Sequence, residues 1–269
     1  MLDFTSKKVV VTGCSSGVGA AVVTKLADLG AIVIGVDRVD SSDHAITQMV
    51  IGDLSTHAGV LEISDQINGP INVLINNAGV AATLPWRTVI SINTLAPRDL
   101  TRALIPKFER EPVVVTTASQ AGFMWQQHFA KLNAFLAIDD WDSALDSLAD
   151  FPDIETACYN VSKEAAIINS GNLAVDGKHI GLRSNSVSPG TIGTPLLKDF
   201  TVTMGAENVE GAATWAGRHA RAEEIADALI FLASSDASWI SGADIPIDGG
   251  LSSMVFRNYI APAMAVTAQ

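Results

Sequence analysis

Basic residues are scarce in this 269-residue sequence: 17 lysines and arginines stand against 29 acidic residues, a formal net charge of −12. No basic cluster interrupts that background, which excludes the footprint a nucleic-acid or anionic-membrane partner needs. Cysteine is nearly absent. Cys14 and Cys158 lie far apart without metal-ligand spacing, so neither a disulfide framework nor a metal site is expected. No apolar run is long enough to span a bilayer and no signal peptide opens the chain, which leads to the expectation of a cytoplasmic protein. Charged residues are also few, 17% against 48% hydrophobic, a balance that builds a large core and leaves little room for disorder.

What is present begins with a β-branched run, Lys8 to Thr12, suited to a strand buried on both faces. Thr12-Gly13-Cys14-Ser15-Ser16-Gly17-Val18-Gly19 follows, and then helical periodicity from Ala20 to Leu29. Strand, glycine-rich turn and helix form a dinucleotide-binding opening. Gly13 permits the tight turn, Gly17 lets backbone approach a pyrophosphate, and Gly19 allows close helix packing. The phosphates would sit at the helix N-terminus, beside Ser15, Ser16 and Val18, where free N–H groups and the dipole favour anions. Ala31 to Val36 reads as a second strand and ends in Asp37, placed to accept hydrogen bonds from the adenosine ribose hydroxyls. A 2′-phosphate would meet a carboxylate there, so NAD is expected over NADP. Arg38 next door is the feature that favours the phosphate.

Strands are then predicted at Gln48–Ile51, Ile71–Ile75 and Pro112–Thr117, with helical segments at about Thr56–Ile67 and Val89–Phe108. Arg221–Ser234 reads as a further amphipathic helix and Ala243–Ile247 as the final strand. Alternating strand and helix implies an α/β domain, a doubly wound parallel sheet with ligands at the C-terminal strand ends. Asp37, Asp53, Asn76 and Ser119 all fall at such ends and should converge on one crevice.

Tyr159 and Lys163 stand four apart in a run of helical spacing and so point the same way. A nearby ammonium favours the phenolate and should lower the phenol from its usual value of about 10, giving a usable acid/base. His128, His179 and His219 show no pairing pattern and default to surface or core roles. Cys158 reads as a small packing residue.

With Thr12–Gly19, Asp53-Leu54, Asn76–Gly79, Asn93, Ser119, Tyr159/Lys163, Asn185, Pro189-Gly190, Thr194 and Asp248–Gly250 in this order, the chain resembles the short-chain dehydrogenase/reductase family. The resemblance implies a single Rossmann-type domain spanning 1–269, with helices on both faces of the sheet. It implies that Asp53 and Leu54 flank the adenine, and that Asn76, Ala78 and Gly79 line the adenosine side. Pro189, Gly190, Ile192 and Thr194 belong to the cofactor side as well, the last two holding the nicotinamide carboxamide. Tyr159 would move the proton, Lys163 would grip the nicotinamide ribose, Ser119 would hold the substrate oxygen, and Asn93 would anchor a relay water.

One departure is plain. The family usually places far fewer residues between its serine and tyrosine than the 39 found here. That helical insertion, 120–155, the Asp248-Gly249-Gly250 ending and the tail at 251–269 resemble the bacterial 3α-hydroxysteroid dehydrogenase/carbonyl reductase branch, and the apolar, glycine-hinged stretch 195–218 reads as a substrate lid. The activity implied is NAD-dependent interconversion of a hydrophobic secondary alcohol and its ketone, a steroid or another cyclic or aryl carbonyl. The alternative in the same family is a cis-dihydrodiol or aryl-alcohol dehydrogenase. A silent dinucleotide sensor would lack Tyr159 or Lys163, and both are present. The family dimerises through the Tyr/Lys helix, which the insertion should cover or remodel. A homo-oligomer is therefore expected, with a dimer favoured over the usual tetramer.

Overall fold

Runs of β-branched residues set the frame. In β1 (Lys8–Thr12) successive side chains point to opposite faces, so Val9 and Val11 enter one core and Val10 the other. β2 (Ile32–Asp37), β4 (Ile71–Asn76) and β5 (Phe108–Thr117) are filled the same way, which requires a sheet covered on both sides. The computed structural model describes residues 2–41 and 43–261. With β3 (Gln48–Ile51), β6 (Arg183–Pro189) and β7 (Asp244–Ile247) it forms a seven-stranded sheet in the order β3-β2-β1-β4-β5-β6-β7, every pair parallel.

One face is covered by α1 (Gly17–Asp28) and α10 (Ala222–Ala233), through Val22, Val23, Leu26, Ile225 and Leu229. The other carries α2 (His57–Gln66), α4 (Ala96–Leu104) and α7 (Ile154–Asp176). The chain builds outward from β1 to β3, then returns to lay β4 against the other side of β1. That reversal opens a crevice at the C-terminal ends of β1 and β4, where doubly wound sheets bind ligands. The expected single Rossmann-type domain is what the chain forms.

The details depart from expectation in two places. The long helix expected over 89–108 is instead α3 (Trp86–Ile90), a π-turn at Ser91–Leu95 and α4, and Phe108 already belongs to β5. The strand β6 was not anticipated, because its serines hide it from an apolar pattern. The insertion forms α5 (Trp125–Leu136) and α6 (Trp141–Asp146), whose Leu132, Phe135, Leu136, Trp141 and Leu145 join the same core as Val161, Ala165 and Ile168 of α7. After β6 come α8 (Leu197–Met204) and α9 (Ala206–Ala216), and after β7 come α11 (Leu251–Val255) and a π-turn at Phe256–Ile260. The rest of the expected tail, 262–269, lies outside the described residues. Among those described, no helix is long and apolar enough to cross a membrane.

Candidate active site

The glycine turn is built without side chains because backbone fills the space. Gly13 adopts a left-handed φ of +67°, and a Cβ there would stand 2.8 Å from the Ala78 Cα. A Cβ at Gly19 would meet the Gly13 carbonyl oxygen at 1.9 Å, so α1 packs this close only with glycine. Ser16 heads α1 without a side-chain cap and the first turn carries no acid, which leaves its N–H groups free for an anion. Val18 faces the core, so it offers the loop backbone alone.

Asp37 closes the loop from β2. Its carboxylate accepts from the Ser15 N–H at 3.0 Å and the Arg38 N–H at 2.7 Å, while Arg38 itself is exposed. Asp53 folds back onto Ser55, accepting from its N–H and hydroxyl at 2.8 Å each, and Leu54 packs on the core. Asn76 departs from its expected place: its buried amide turns to α4 and donates to Thr101 Oγ1 at 3.2 Å, and its Oδ1 meets no donor among the described residues. Sequence reasoning passed over Asn77, which braces the glycine turn instead. Its Nδ2 donates to the carbonyls of Thr12 and Gly13 at 3.2 and 3.3 Å, and Thr117 Oγ1 donates to its Oδ1 at 3.2 Å.

Asn93 sits on the π-turn, a distortion often met at functional sites. Its Oδ1 accepts from the Val80 N–H at 2.9 Å and its Nδ2 donates to the Val80 carbonyl and Ser162 Oγ, both at 3.0 Å. The amide thus ties the Gly79 loop to α7, and a water on Asn93 would rest on main chain rather than on this occupied side chain. A Cβ at Gly79 would stand 3.3 Å from Asn93 Oδ1 and 3.5 Å from Lys163 Nζ, so bare backbone keeps a slot open above the ammonium.

Ser119 follows β5, accepts from the Ala121 N–H at 3.1 Å and faces the Tyr159 phenol. Lys163 lies one turn along α7, 4% exposed, its Nζ donating to the Thr117 carbonyl at 2.9 Å and 5.8 Å from the Tyr159 ring centroid. The expected lowering of the phenol is reversed here. Burial pushes Tyr159 up to about 12, with Ser119 pulling the other way, and burial pushes the Lys163 ammonium down to about 8. Desolvation of both groups outweighs their mutual attraction across that distance. Cys158 is fully buried with its thiol pushed up by burial, a packing residue as expected.

Beyond β6, Gly190 nests against Asp248, Ile192 forms a parallel bridge with Ala220, and Thr194 comes within reach of the Gly17 turn. Phe200 of α8, within the expected apolar lid, stands edge-on to the Tyr159 ring at 5.0 Å. The histidines are not idle either: His128 Nδ1 lies 2.6 Å from the buried carboxylate of Glu164, linking α5 to α7. The bare cradle over a free helix start, the Asp37 carboxylate beside it and the slot above Lys163 fit a nicotinamide dinucleotide.

Comparison with known proteins agrees. Residues 7–134 match the short chain dehydrogenase family, and residues 145–252 match a family described as enoyl-(acyl carrier protein) reductase. The coniferyl-alcohol dehydrogenase of Pseudomonas sp. (strain HR199 / DSM 7063) is 32% identical over 94% of this chain and 99% of its own. The 3-alpha-hydroxysteroid dehydrogenase/carbonyl reductase of Comamonas testosteroni is 28% identical over 92% of this chain and 97% of its own. Among solved structures, the 3-alpha-hydroxysteroid dehydrogenase from Pseudomonas sp. B-0831 complexed with NADH superposes with a TM-score of 0.80 at 26% identity, over 94% of this chain and 99% of that one. The chain belongs to the short-chain dehydrogenase/reductase family, on its alcohol dehydrogenase and carbonyl reductase side.

Proposed function

We propose that the protein interconverts a hydrophobic, ring-bearing alcohol and its carbonyl compound with NAD. The observation that carries this reading is the set at the crevice: the Ser119 hydroxyl on the Tyr159 phenol, with Lys163 Nζ beneath the Gly79 slot. When bound, the nicotinamide supplies the hydride acceptor or donor, and in its oxidised form a positive charge that favours the phenolate. Tyr159 takes the hydroxyl proton of the alcohol, or returns it to the carbonyl oxygen. Ser119 holds that oxygen against the phenol and steadies the charge that develops on it. Lys163 grips the ribose and offers its ammonium to the phenolate. Asn93 fixes the Gly79 loop to α7 and positions the water that carries the proton away. The turn of Gly13, Ser15, Ser16, Gly17, Val18 and Gly19 binds the pyrophosphate. Leu54, Ala78 and Gly79 flank the adenosine, while Pro189, Gly190, Ile192 and Thr194 border the nicotinamide.

Asp37 supports NAD over NADP, since its carboxylate is held at the loop while Arg38 lies exposed. Asp37→Ala is expected to weaken NAD by 10- to 150-fold or so, the equivalent of losing about 1.5–3 kcal/mol of charged hydrogen bonding, while NADP is little affected. Steady-state KM values for the two cofactors measure this. An unchanged NAD/NADP ratio would refute the assignment.

Two substrate classes meet the description. The hydroxysteroid enzyme that superposes at a TM-score of 0.80 supports a steroid or other cyclic secondary alcohol, and the 32% identical relative supports an aryl alcohol. Absorbance at the NADH band, with NAD and NADP run against hydroxysteroids, cyclohexanols and aryl allylic alcohols, tests both. Silence towards all of them would sink the reading.

The apolar side of α5 packs against α7, and the Arg98 guanidinium of α4 is held by the carbonyls of Leu136 and Ile138. A four-helix contact between α4 and α7 pairs is thereby blocked, which favours a dimer through another surface. Light scattering should give twice, not four times, the chain mass.

A further inference from the structure

We propose that Phe200 sets the width of the substrate pocket at the Tyr159 phenol, so that the enzyme takes a narrow single-ring alcohol and turns away a wide fused-ring one. This rests on the functional reading above and decides between its two substrate classes.

α8 is held weakly. None of its eight residues is buried, and Val202 and Met204 are 78% and 46% exposed. Its flanks are fixed. Before it, Thr194 lies against the glycine turn, so close that a Cβ at Gly17 would stand 3.3 Å from Thr194 Cγ2. After it, Gly205 takes a φ of +85° and the chain enters α9, which is anchored by buried Val209 and Ala213 and by the close approach of Ala216 to Gly249. Between these two attachments α8 spans the mouth of the crevice. The contact it makes there is one aromatic ring, Phe200, at 66° to the Tyr159 ring. The carbon bearing the substrate hydroxyl must come within hydrogen-bond reach of the phenol, so whatever ring it carries must share that space with Phe200. A planar ring can slide along an aromatic edge, whereas a fused polycyclic skeleton collides with it.

The test compares wild type, Phe200→Ala and Phe200→Trp, using NAD with cinnamyl alcohol and with a 3-hydroxysteroid. Wild type should prefer cinnamyl alcohol. Phe200→Ala should raise the steroid-to-cinnamyl ratio of kcat/KM about tenfold or more, within the range one altered apolar contact gives, and Phe200→Trp should lower it. NADH fluorescence titration should stay within about twofold of wild type in each, since Phe200 lies off the cofactor cradle and α8 carries no core residue. A ratio that does not move in either variant overturns the proposal while wild-type turnover upholds the functional reading. Wild type that binds NADH yet oxidises neither alcohol overturns both. Should Phe200→Ala fail to fold, Phe200→Trp alone decides: an equal or higher steroid ratio overturns the proposal.

Discussion

Tyr159→Phe should lower turnover about 10³-fold or more, in the upper part of the range for losing a positioned acid/base, and leave NADH binding within about twofold of wild type. The substitution keeps the ring, its packing and the edge-on contact with Phe200. It removes one oxygen, the one facing Ser119. Since the proposed role of that oxygen is exercised when the proton moves, kcat and kcat/KM should fall together rather than KM rising alone. The wild-type pH profile follows from the same group. Alcohol oxidation needs the phenolate and should quicken with rising pH, while carbonyl reduction needs the phenol and should slow over the same range. With burial pushing the phenol up to about 12, the protein's own groups oppose the reactive form. Rapid-mixing kinetics in both directions check the pair of slopes. Near-normal turnover in the phenylalanine variant would remove Tyr159 from the chemistry.

How much of this could be read from the chain depends on whether local pattern or distant packing decides. The glycine turn was legible because its geometry is local: a turn, a helix start and a close approach that glycine satisfies. So were β1, β2 and β4, whose apolar runs fit a sheet covered on both faces. β6 was not. Its buried Ser184 pairs with Ser170 of α7 at 3.0 Å, and Ser186 and Ser188 donate to Asp244 of β7 at 2.7 and 2.8 Å. Hydroxyls so satisfied can be buried like apolar groups, yet those partners lie 14 to 58 residues away and leave no local mark. The π-turn at Asn93 is hidden for the same reason, its amide being answered by Val80 and Ser162. The direction of the Tyr159 shift was misjudged because spacing reveals a neighbouring charge but not the depth at which both groups lie. Asn77 was within reach: it stands in the quoted Asn76–Gly79 run, and two adjacent asparagines after a strand offer one amide to each side of it.

Lys163→Met should abolish useful turnover and at the same time make the fold more stable. Lys163 is 4% exposed and its ammonium donates to a single carbonyl, that of Thr117, among the described residues. Burial brings it down to about 8 from an ordinary 10.5. In the unfolded chain the amine therefore holds its proton across an interval in which the folded protein has released it. Where the unfolded state binds more protons, stability rises with pH. The contribution of Lys163 thus climbs from about pH 8 to about 10.5, and at neutral pH the folded state bears the full penalty, of order 3 kcal/mol at 1.36 kcal/mol per unit. Methionine fills similar space without the charge but leaves the Thr117 carbonyl short of a donor, which returns about 1–2 kcal/mol of that gain. The net is about 1–2 kcal/mol, or several degrees in Tm for a chain of this size. Denaturant unfolding between pH 7 and 10 reads it, below the range where Tyr159 acts with the opposite sign: a phenol raised to about 12 loses stability between 10 and 12. The wild type should gain on the variant as pH climbs from about 8 to 10. A variant less stable than wild type at pH 7 would mean the ammonium supports the fold, and the functional reading of Lys163 would lose its physical ground. Under the proposed function, a group kept buried against its own solvation is explained by what it does for a bound ribose and a phenolate, not by what it does for packing.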